Sequence, residues 1–349
     1  MSQPTGSPTA IKADTILRIN NLHTYFYTDI GVSKALNGVT LDVPARKVMG
    51  VVGESGCGKS VTALSCLRLL PKSAKIIKGD ITFFKPKEKG FETITLTDLD
   101  PMGQTIRHIR GEELAMIFQE PMTSLNPSYT VGNQIAEAII LHQNVDNDEA
   151  RTRTIRILDQ VGMSNPEGTF SRYPHELSGG MRQRAMIAMG LSCNPAILFA
   201  DEPTTALDVT TEAQILDLMR DLQAELGMTI VFITHNLGVV AQMCDFVAVM
   251  YLGRIVEQTD VDRLFYNPLH PYTKALLNSI PHAGSRVHNR LQPIRGVVPD
   301  PYSTIQGCPF HPRCNAFMPG KCDKQVPGIT IKEDGHLVRC FLYSDEVEA

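Results

Sequence analysis

No apolar run in this chain reaches the roughly 18 to 20 residues that a helix needs to cross a bilayer. The best stretch, residues 185–200, is interrupted by Asn194-Pro195. Residues 1–14 (MSQPTGSPTAIKAD) are polar, rich in Ser, Thr and Pro, and lack the apolar centre of a secretory signal. They are expected to form a short disordered lead, and any membrane contact is expected to come through partners. A basic excess is also lacking. Thirty-three Lys and Arg against 37 Asp and Glu leave a formal net charge of −4, which argues against holding nucleic acid by bulk charge. No internal repeat of roughly 20 to 50 residues is visible.

What is present is an ordinary globular mixture, 43% hydrophobic and 20% charged. That balance excludes dominant disorder and a coiled coil. With 349 residues, the chain exceeds the roughly 250 to 300 at which single cores stop growing, so one large domain with a small appendage is expected. Up to residue 264, short β-branched runs alternate with helical patterns: VTLDV and VMGVVG within residues 36–53, LAMIF at 114–118, AILFA at 196–200 and TIVFI at 229–233. The last three are nearly all apolar, as strands buried on both faces must be. Ile215, Leu218, Met219, Leu222 and Leu226 mark a helix over 210–226. Strand, helix, strand in this order predicts an α/β sheet. Residues 130–194 carry helical periodicity and are expected to form an inserted helical subdomain, with Ile155, Ile157, Leu158 and Val161 on one of its packed helices. The polar segment 85–110 reads as a surface hairpin or long loop, and 267–281 as a short helix bracketed by prolines.

The strongest local signal is Gly53-Glu54-Ser55-Gly56-Cys57-Gly58-Lys59-Ser60, a full GxxxxGK[ST] match. It follows the apolar strand 48–52 and precedes a helical run over 61–70 that begins with Val61, as the motif requires. Glycines let successive backbone N–H groups curl around a phosphate, and the helix start adds its free N–H groups. Lys59 can neutralise β- and γ-phosphate charge, and Ser60 can coordinate Mg²⁺. A second element, Ile197-Leu198-Phe199-Ala200-Asp201-Glu202, is a buried strand ending in two carboxylates. Asp201 is expected to hold Mg²⁺ and Glu202 to polarise the attacking water, their surroundings splitting their proton affinities. An acidic helix cap would account for Asp-Glu-Pro alone, but not for its pairing with residues 53–60. His235, ending the strand 229–234, can contact the γ-phosphate, and Gln119, after LAMIF, can reach the metal or its water.

Together these elements resemble the ATP-binding cassette ATPases of membrane transporters. Leu177-Ser178-Gly179-Gly180-Met181-Arg182-Gln183-Arg184 is similar to the cassette signature, and Ala206-Leu207-Asp208 matches its D-loop. Gln119 and His235 fall where the Q-loop and switch histidine belong. The resemblance implies a P-loop cassette over 15–264 with a RecA-like core, an antiparallel β subdomain and a helical subdomain. It also implies an aromatic residue that stacks on the base, Phe26 or Tyr27, with Tyr25 less suited. Such cassettes bind two ATP molecules between head-to-tail copies. This chain has one P-loop and one signature, so the resemblance implies a partner cassette, with Ser178, Gly179, Gly180 and Asp208 lining the shared nucleotide site.

Phe118-Gln119-Glu120-Pro121-Met122-Thr123-Ser124-Leu125-Asn126-Pro127, Tyr173-Pro174-His175-Glu176 and Asn267-Pro268-Leu269-His270-Pro271-Tyr272-Thr273 resemble the dipeptide, oligopeptide and nickel importer branch, in particular its D-type cassette subunit. That implies a second, different cassette subunit, two membrane permease subunits and an extracytoplasmic solute-binding protein. It places the chain at the cytoplasmic face of a bacterial cell membrane, with the region from Gln119 through the helical subdomain meeting a coupling helix. Members of the branch also import oligosaccharides. The branch usually has a short connector where this chain runs 85–110. A soluble cassette acting on ribosomes or DNA is the competing class, but such members usually join two cassettes or carry a long coiled-coil or zinc insertion.

Residues 265–349 form the expected extension. Four of the eight cysteines lie there, Cys308, Cys314, Cys322 and Cys340, spaced C-x5-C-x7-C-x17-C. Clustered cysteines in a cytosolic chain point to metal rather than disulfides. The spacing lacks the paired C-x2-4-C of common zinc sites and does not separate zinc, iron–sulfur or a metal-free packed unit. The GCPFHPRC start resembles the C-terminal extension of the peptide importer cassettes, some of which carry a [4Fe-4S] cluster on four such cysteines; His311 is a less suited substitute ligand. Cys57, Cys66, Cys193 and Cys244 read as packing residues, with reactivity an alternative for Cys57 because its thiol lies near a helix start.

Overall fold

The structure, a computed structural model, describes residues 15–120, 124–205, 207–279 and 294–348. The expected lead 1–14, Pro121, Met122, Thr123, Ala206, residues 280–293 and Ala349 lie outside the described residues. In chain order the elements are β1 (Thr15–Thr28), β2 (Gly31–Pro44), β3 (Val48–Val52), α1 (Lys59–Cys66), β4 (Ala74–Pro86), β5 (Phe91–Thr95), α2 (Gln104–Glu112) and β6 (Leu114–Ile117). The helical subdomain follows as α3 (Val131–Gln143), α4 (Asn147–Gln160), α5 (Pro166–Phe170) and α6 (Gly179–Leu191). The chain then returns to the sheet with β7 (Ile197–Asp201), α7 (Val209–Leu226), β8 (Thr229–Thr234), α8 (Leu237–Met243), β9 (Phe246–Tyr251) and β10 (Arg254–Asp260). It ends with α9 (Val261–Tyr266), α10 (Pro271–Asn278), β11 (Thr330–Ile331) and β12 (Leu337–Val338).

The strands form two sheets. An antiparallel sheet of order β2-β1-β4-β5 packs against an eight-stranded sheet of order β11-β12-β10-β9-β3-β8-β7-β6. Within the larger sheet β6, β7, β8, β3 and β9 run parallel, and β3, β7 and β8 are buried at every residue. Their lack of polar alternation follows from covering on both faces. One face packs Leu17, Ile19, Phe83, Val51 and Phe199 between the two sheets; the other packs Phe232 and Val249 against α7, α8 and the helical subdomain.

The segment 85–110 begins as the hairpin of the two expected forms and continues into a helix that was not expected. Residues 87–90 make the turn of a β4–β5 hairpin, Lys87 donating its N–H to the Gly90 carbonyl at 3.1 Å, and α2 follows with Ile106 and Ile109 buried. Two apolar residues among polar neighbours are too weak a periodic signal to predict that helix. The extension is not a separate appendage either, because β12 pairs with β10 and adds β11 and β12 to the edge of the main sheet. The helix after the phosphate motif begins at Lys59 and stops at Cys66, short of the expected 70, because Arg68 two residues beyond turns to φ 55.

Candidate functional site

The phosphate motif folds as its composition requires. Gly53 has φ 156, and a Cβ there would lie 2.2 Å from the Met250 carbonyl oxygen; Gly58 has φ 109, and a Cβ would lie 2.6 Å from the Ala35 oxygen. Any side chain at either position would push the loop off β9 or β2. Gly58 starts α1 without a side-chain cap, so the helix presents free N–H groups to an anion. Lys59 is buried, and its Nζ donates to the Gly53 and Glu54 carbonyls at 2.9 and 3.2 Å. It thus sits inside the loop, held by the loop's own carbonyls.

Strand β7 delivers both carboxylates to one crevice by a backbone device. Asp201 ends the strand, whereas Glu202 turns to φ 47, with its N–H bonded to the Ile233 oxygen at 2.9 Å. A left-handed conformation is costly for a glutamate, and such strain concentrates at functional positions. Three elements then converge on the Glu202 carboxylate: Gln119 Nε2 donates at 3.1 Å, Thr205 Oγ1 at 3.0 Å, and His235 Nδ1 lies 2.9 Å away. Gln119 and His235 are thereby gathered as the motif order suggests. Gln119 meets Glu202 rather than the Asp201–Ser60 pair, where it was expected to reach a metal. Thr205 has no distinguishing signal in sequence; only its place three residues after Glu202 in a tight turn brings it in.

The two carboxyls are driven apart in acidity. Burial raises Asp201, aided by the charge of Glu202, although a hydrogen bond from Ser60 opposes the shift. For Glu202, burial also acts to raise the value, but hydrogen bonds from His235 and Thr205 overcome it and hold the carboxyl below its ordinary range. Glu202 is therefore ionised at neutral pH, and Asp201 is the weaker acid of the two.

Further along, Ser178 caps α6 by accepting from the Met181 N–H at 3.3 Å, and a Cβ at Gly180 would lie 2.8 Å from Thr211 Cγ2. The signature helix thus starts against the beginning of α7, which Asp208 caps through Thr211 N–H and Oγ1 at 3.0 and 2.7 Å. Alternation along β1 separates the candidate aromatics. Phe26 shares the side of Thr24, whose hydroxyl is 3.2 Å from Ser65 Oγ of α1. Tyr27 shares the side of Tyr25 and His23 and is exposed under Lys75.

Comparison with known proteins agrees with this geometry. The family described as ABC transporter matches residues 36–205, and the one described as oligopeptide/dipeptide transporter, C-terminal region, matches 256–322. A probable peptide ABC transporter ATP-binding protein of Sinorhizobium fredii is 49% identical over 96% of this chain and 97% of its own. The oligopeptide transport ATP-binding protein AppD of Bacillus subtilis is 47% identical over 95% and 98%. The chain belongs to the ABC transporter ATP-binding family. A solved ATP-binding cassette, dimeric in a post-hydrolysis state with ADP and Pi, overlays with TM-score 0.60 at 25% identity, covering 70% of this chain and 99% of that one. As a member of the family, the chain is an ATPase.

The ABC cassette's own residues fit Mg²⁺ beside the nucleotide. Asp201 Oδ1 is buried without a hydrogen-bond partner, next to the Ser60 hydroxyl, and a buried orphan carboxylate oxygen is a ready cation ligand. Cys57 is a packing residue, and the reactive alternative falls. It is 3% exposed and burial pushes its thiol up, so the helix start does not make it a nucleophile.

In the extension of this ABC protein, Cys308, Cys314, Cys322 and Cys340 line one small cavity with His270, Phe310 and Phe341. Burial, then the neighbouring thiols, pushes Cys308 up to about 12; burial likewise takes Cys340 to about 11. Such thiols stay neutral unless a cation stabilises their thiolates. Among the described residues, no three His, Cys, Asp or Glu side chains form a group set to hold a metal ion. The four cysteines share a cavity rather than a single point. His311 turns its Nδ1 to the Cys308 carbonyl at 2.9 Å.

Proposed function

We propose that this chain is the ATP-hydrolysing subunit of a peptide importer. The observation that carries the reading is the convergence of Gln119, Thr205 and His235 on the Glu202 carboxylate at the edge of the phosphate loop. The names of its relatives, which include the dipeptide transport ATP-binding protein DppD of Bacillus subtilis at 45% identity over 96% of this chain and 97% of its own, supply the solute class. In this reading Phe26 stacks on the base, and Lys59, Gly53, Glu54, Ser55, Gly56, Cys57, Gly58, Ser60 and Val61 form the cradle. Ser60 and Asp201 would hold Mg²⁺, which would neutralise phosphate charge when bound. Glu202 orients and polarises the attacking water while His235 keeps its carboxylate aligned. Ser178, Gly179 and Gly180 of this chain close on the γ-phosphate in a partner cassette's loop, a helix start facing an anion. Closure excludes water and fixes the nucleophile.

The partners are a different cassette subunit, two permeases and an extracytoplasmic binding protein, with this chain at the cytoplasmic membrane face. A groove of about 230 Å³ lined by Leu69, Phe118, Leu125, Ala138, Met186 and Met189 supports docking of a permease's coupling helix beside Gln119. No helix among the described residues is long and apolar enough to span a membrane. Affinity purification from membranes is expected to recover two permeases and a second cassette. Recovery of ribosomes or DNA instead would move the chain to the soluble class.

For the cysteine cavity the same reading assigns a [4Fe-4S] cluster, which Cys308, Cys314, Cys322 and Cys340 would hold through their thiolates. Zinc would need four sulfurs about 2.3 Å from one point. The cluster would crosslink the turn 308–314 to Cys322 and Cys340. Cys314→Ser is expected to strip iron and acid-labile sulfide from the purified chain. Undiminished metal would reject Cys314 as a ligand, and zinc in place of iron would replace the cluster.

A further inference from the structure

The phosphate loop is held from outside by the C-terminal extension. Glu54, its second residue, accepts two hydrogen bonds from one guanidinium: Arg313 Nη1 to Oε2 at 2.6 Å and Nη2 to Oε1 at 2.9 Å. This is the bidentate fork that adds geometric specificity to charge. The Arg313 side chain is 4% exposed, and its Nε donates to the Arg295 carbonyl at 2.9 Å, so the fork is aimed before Glu54 arrives. A second tie falls on the same residue, where the Glu54 N–H donates to the buried Tyr272 hydroxyl of α10 at 2.9 Å. Tyr272, Tyr251 and Phe310 pack as a triad with ring centroids 4.7 to 5.3 Å apart. Phe310 and Arg313 belong to one short turn whose backbone bonds run from the Arg313 N–H to Phe310 O and from the Cys314 N–H to His311 O.

We propose that Arg313 is a positioning residue for ATP binding, acting through Glu54 to hold the phosphate loop open from its outer side. From inside, Lys59 binds the Gly53 and Glu54 carbonyls. When Lys59 moves to phosphate, the Arg313 and Tyr272 ties remain on Glu54, beside the bond from the Cys57 N–H to its carbonyl at 3.3 Å. Glu54 is an unconstrained position of the GxxxxGK[ST] motif, so no phosphate contact requires a carboxylate there. Its acid is explained by the arginine 259 residues away. The extension is thus a structural part of the ATP site, whatever its cysteines hold.

The test is a double-mutant cycle on the full-length chain, with affinity for a fluorescent ATP analogue measured beside thermal unfolding. Glu54→Gln and Arg313→Gln are each expected to weaken nucleotide binding about tenfold, and the double variant no more than either alone. A tenfold change corresponds to about 1.4 kcal/mol. Arg313→Lys, which keeps charge and stem but loses the fork, is expected to fall near Arg313→Gln in affinity while melting close to wild type. The charge swap Glu54→Arg with Arg313→Glu is expected to recover part of the lost affinity. Unchanged affinity in a folded Arg313→Lys, or single effects that multiply in the double variant, would overturn the proposal. A loss of melting temperature with wild-type affinity in the folded fraction would reduce Arg313 to a stability role and overturn it equally.

Discussion

Glu202→Gln is expected to lower ATP turnover by the assembled transporter about 10²- to 10⁴-fold while nucleotide affinity stays near wild type. The amide keeps size and the hydrogen bond to Thr205, but it cannot accept from both Gln119 and His235 while polarising a water. Binding is spared because the phosphate contacts come from residues 53–60 and the start of α1, none of which touches the Glu202 side chain through a hydrogen bond. Phosphate release and analogue binding, measured on the same preparation, separate the two effects. Robust hydrolysis by this variant would remove Glu202 from its role and leave His235 as the group to examine.

Glu257→Ala is expected to destabilise the union of core and extension by about 3 to 5 kcal/mol, the usual cost of breaking a buried pair. Glu257 on β10 is fully buried and accepts from the Leu269 and His270 N–H groups at 2.7 and 2.8 Å, with His336 Nε2 2.7 Å away. One carboxylate thus satisfies the entry to α10 and the turn leading into β12, and alanine leaves those donors stranded in a dry site. Burial acts to raise the Glu257 carboxyl, but the bonds from His336 and the two N–H groups hold it below its ordinary value. A depressed carboxyl contributes stability that is complete above its unfolded value, about 4.3, and that is lost as pH falls through the folded value. Protection of the 330–338 amides from hydrogen exchange should therefore drop in the alanine variant, and in wild type only under acid. Protection unchanged in Glu257→Ala would show that β11 and β12 are held by other contacts.

Both expectations depend on side chains that meet from distant parts of the chain, and there the two levels of description part. The buried strands, the α7 stripe and the Gly53–Ser60 loop were readable because each is decided by neighbours within a few residues: apolar runs demand two-sided cover, and a glycine-rich turn before a helix has few other uses. The helix α2 was missed because Ile106 and Ile109 alone cannot outweigh the polar residues around them. The reactive alternative for Cys57 fell for a related reason. Its place near a helix start is local, but its burial in the cluster that includes Met250 is not.

The residue order alone therefore determined the phosphate loop, the carboxylate-ended strand, the order of the cassette motifs and the presence of four late cysteines. Tertiary structure decided that Glu202 turns to φ 47 and gathers Gln119, Thr205 and His235, that Phe26 rather than Tyr27 lies on the side of α1, and that Arg313 grips Glu54. It also decided that the extension completes the main sheet rather than trailing from it. The physical reason is reach. Backbone geometry and hydrophobic periodicity act over a few residues, whereas a hydrogen bond between side chains hundreds of positions apart exists only once the sheet order has brought their strands and turns together.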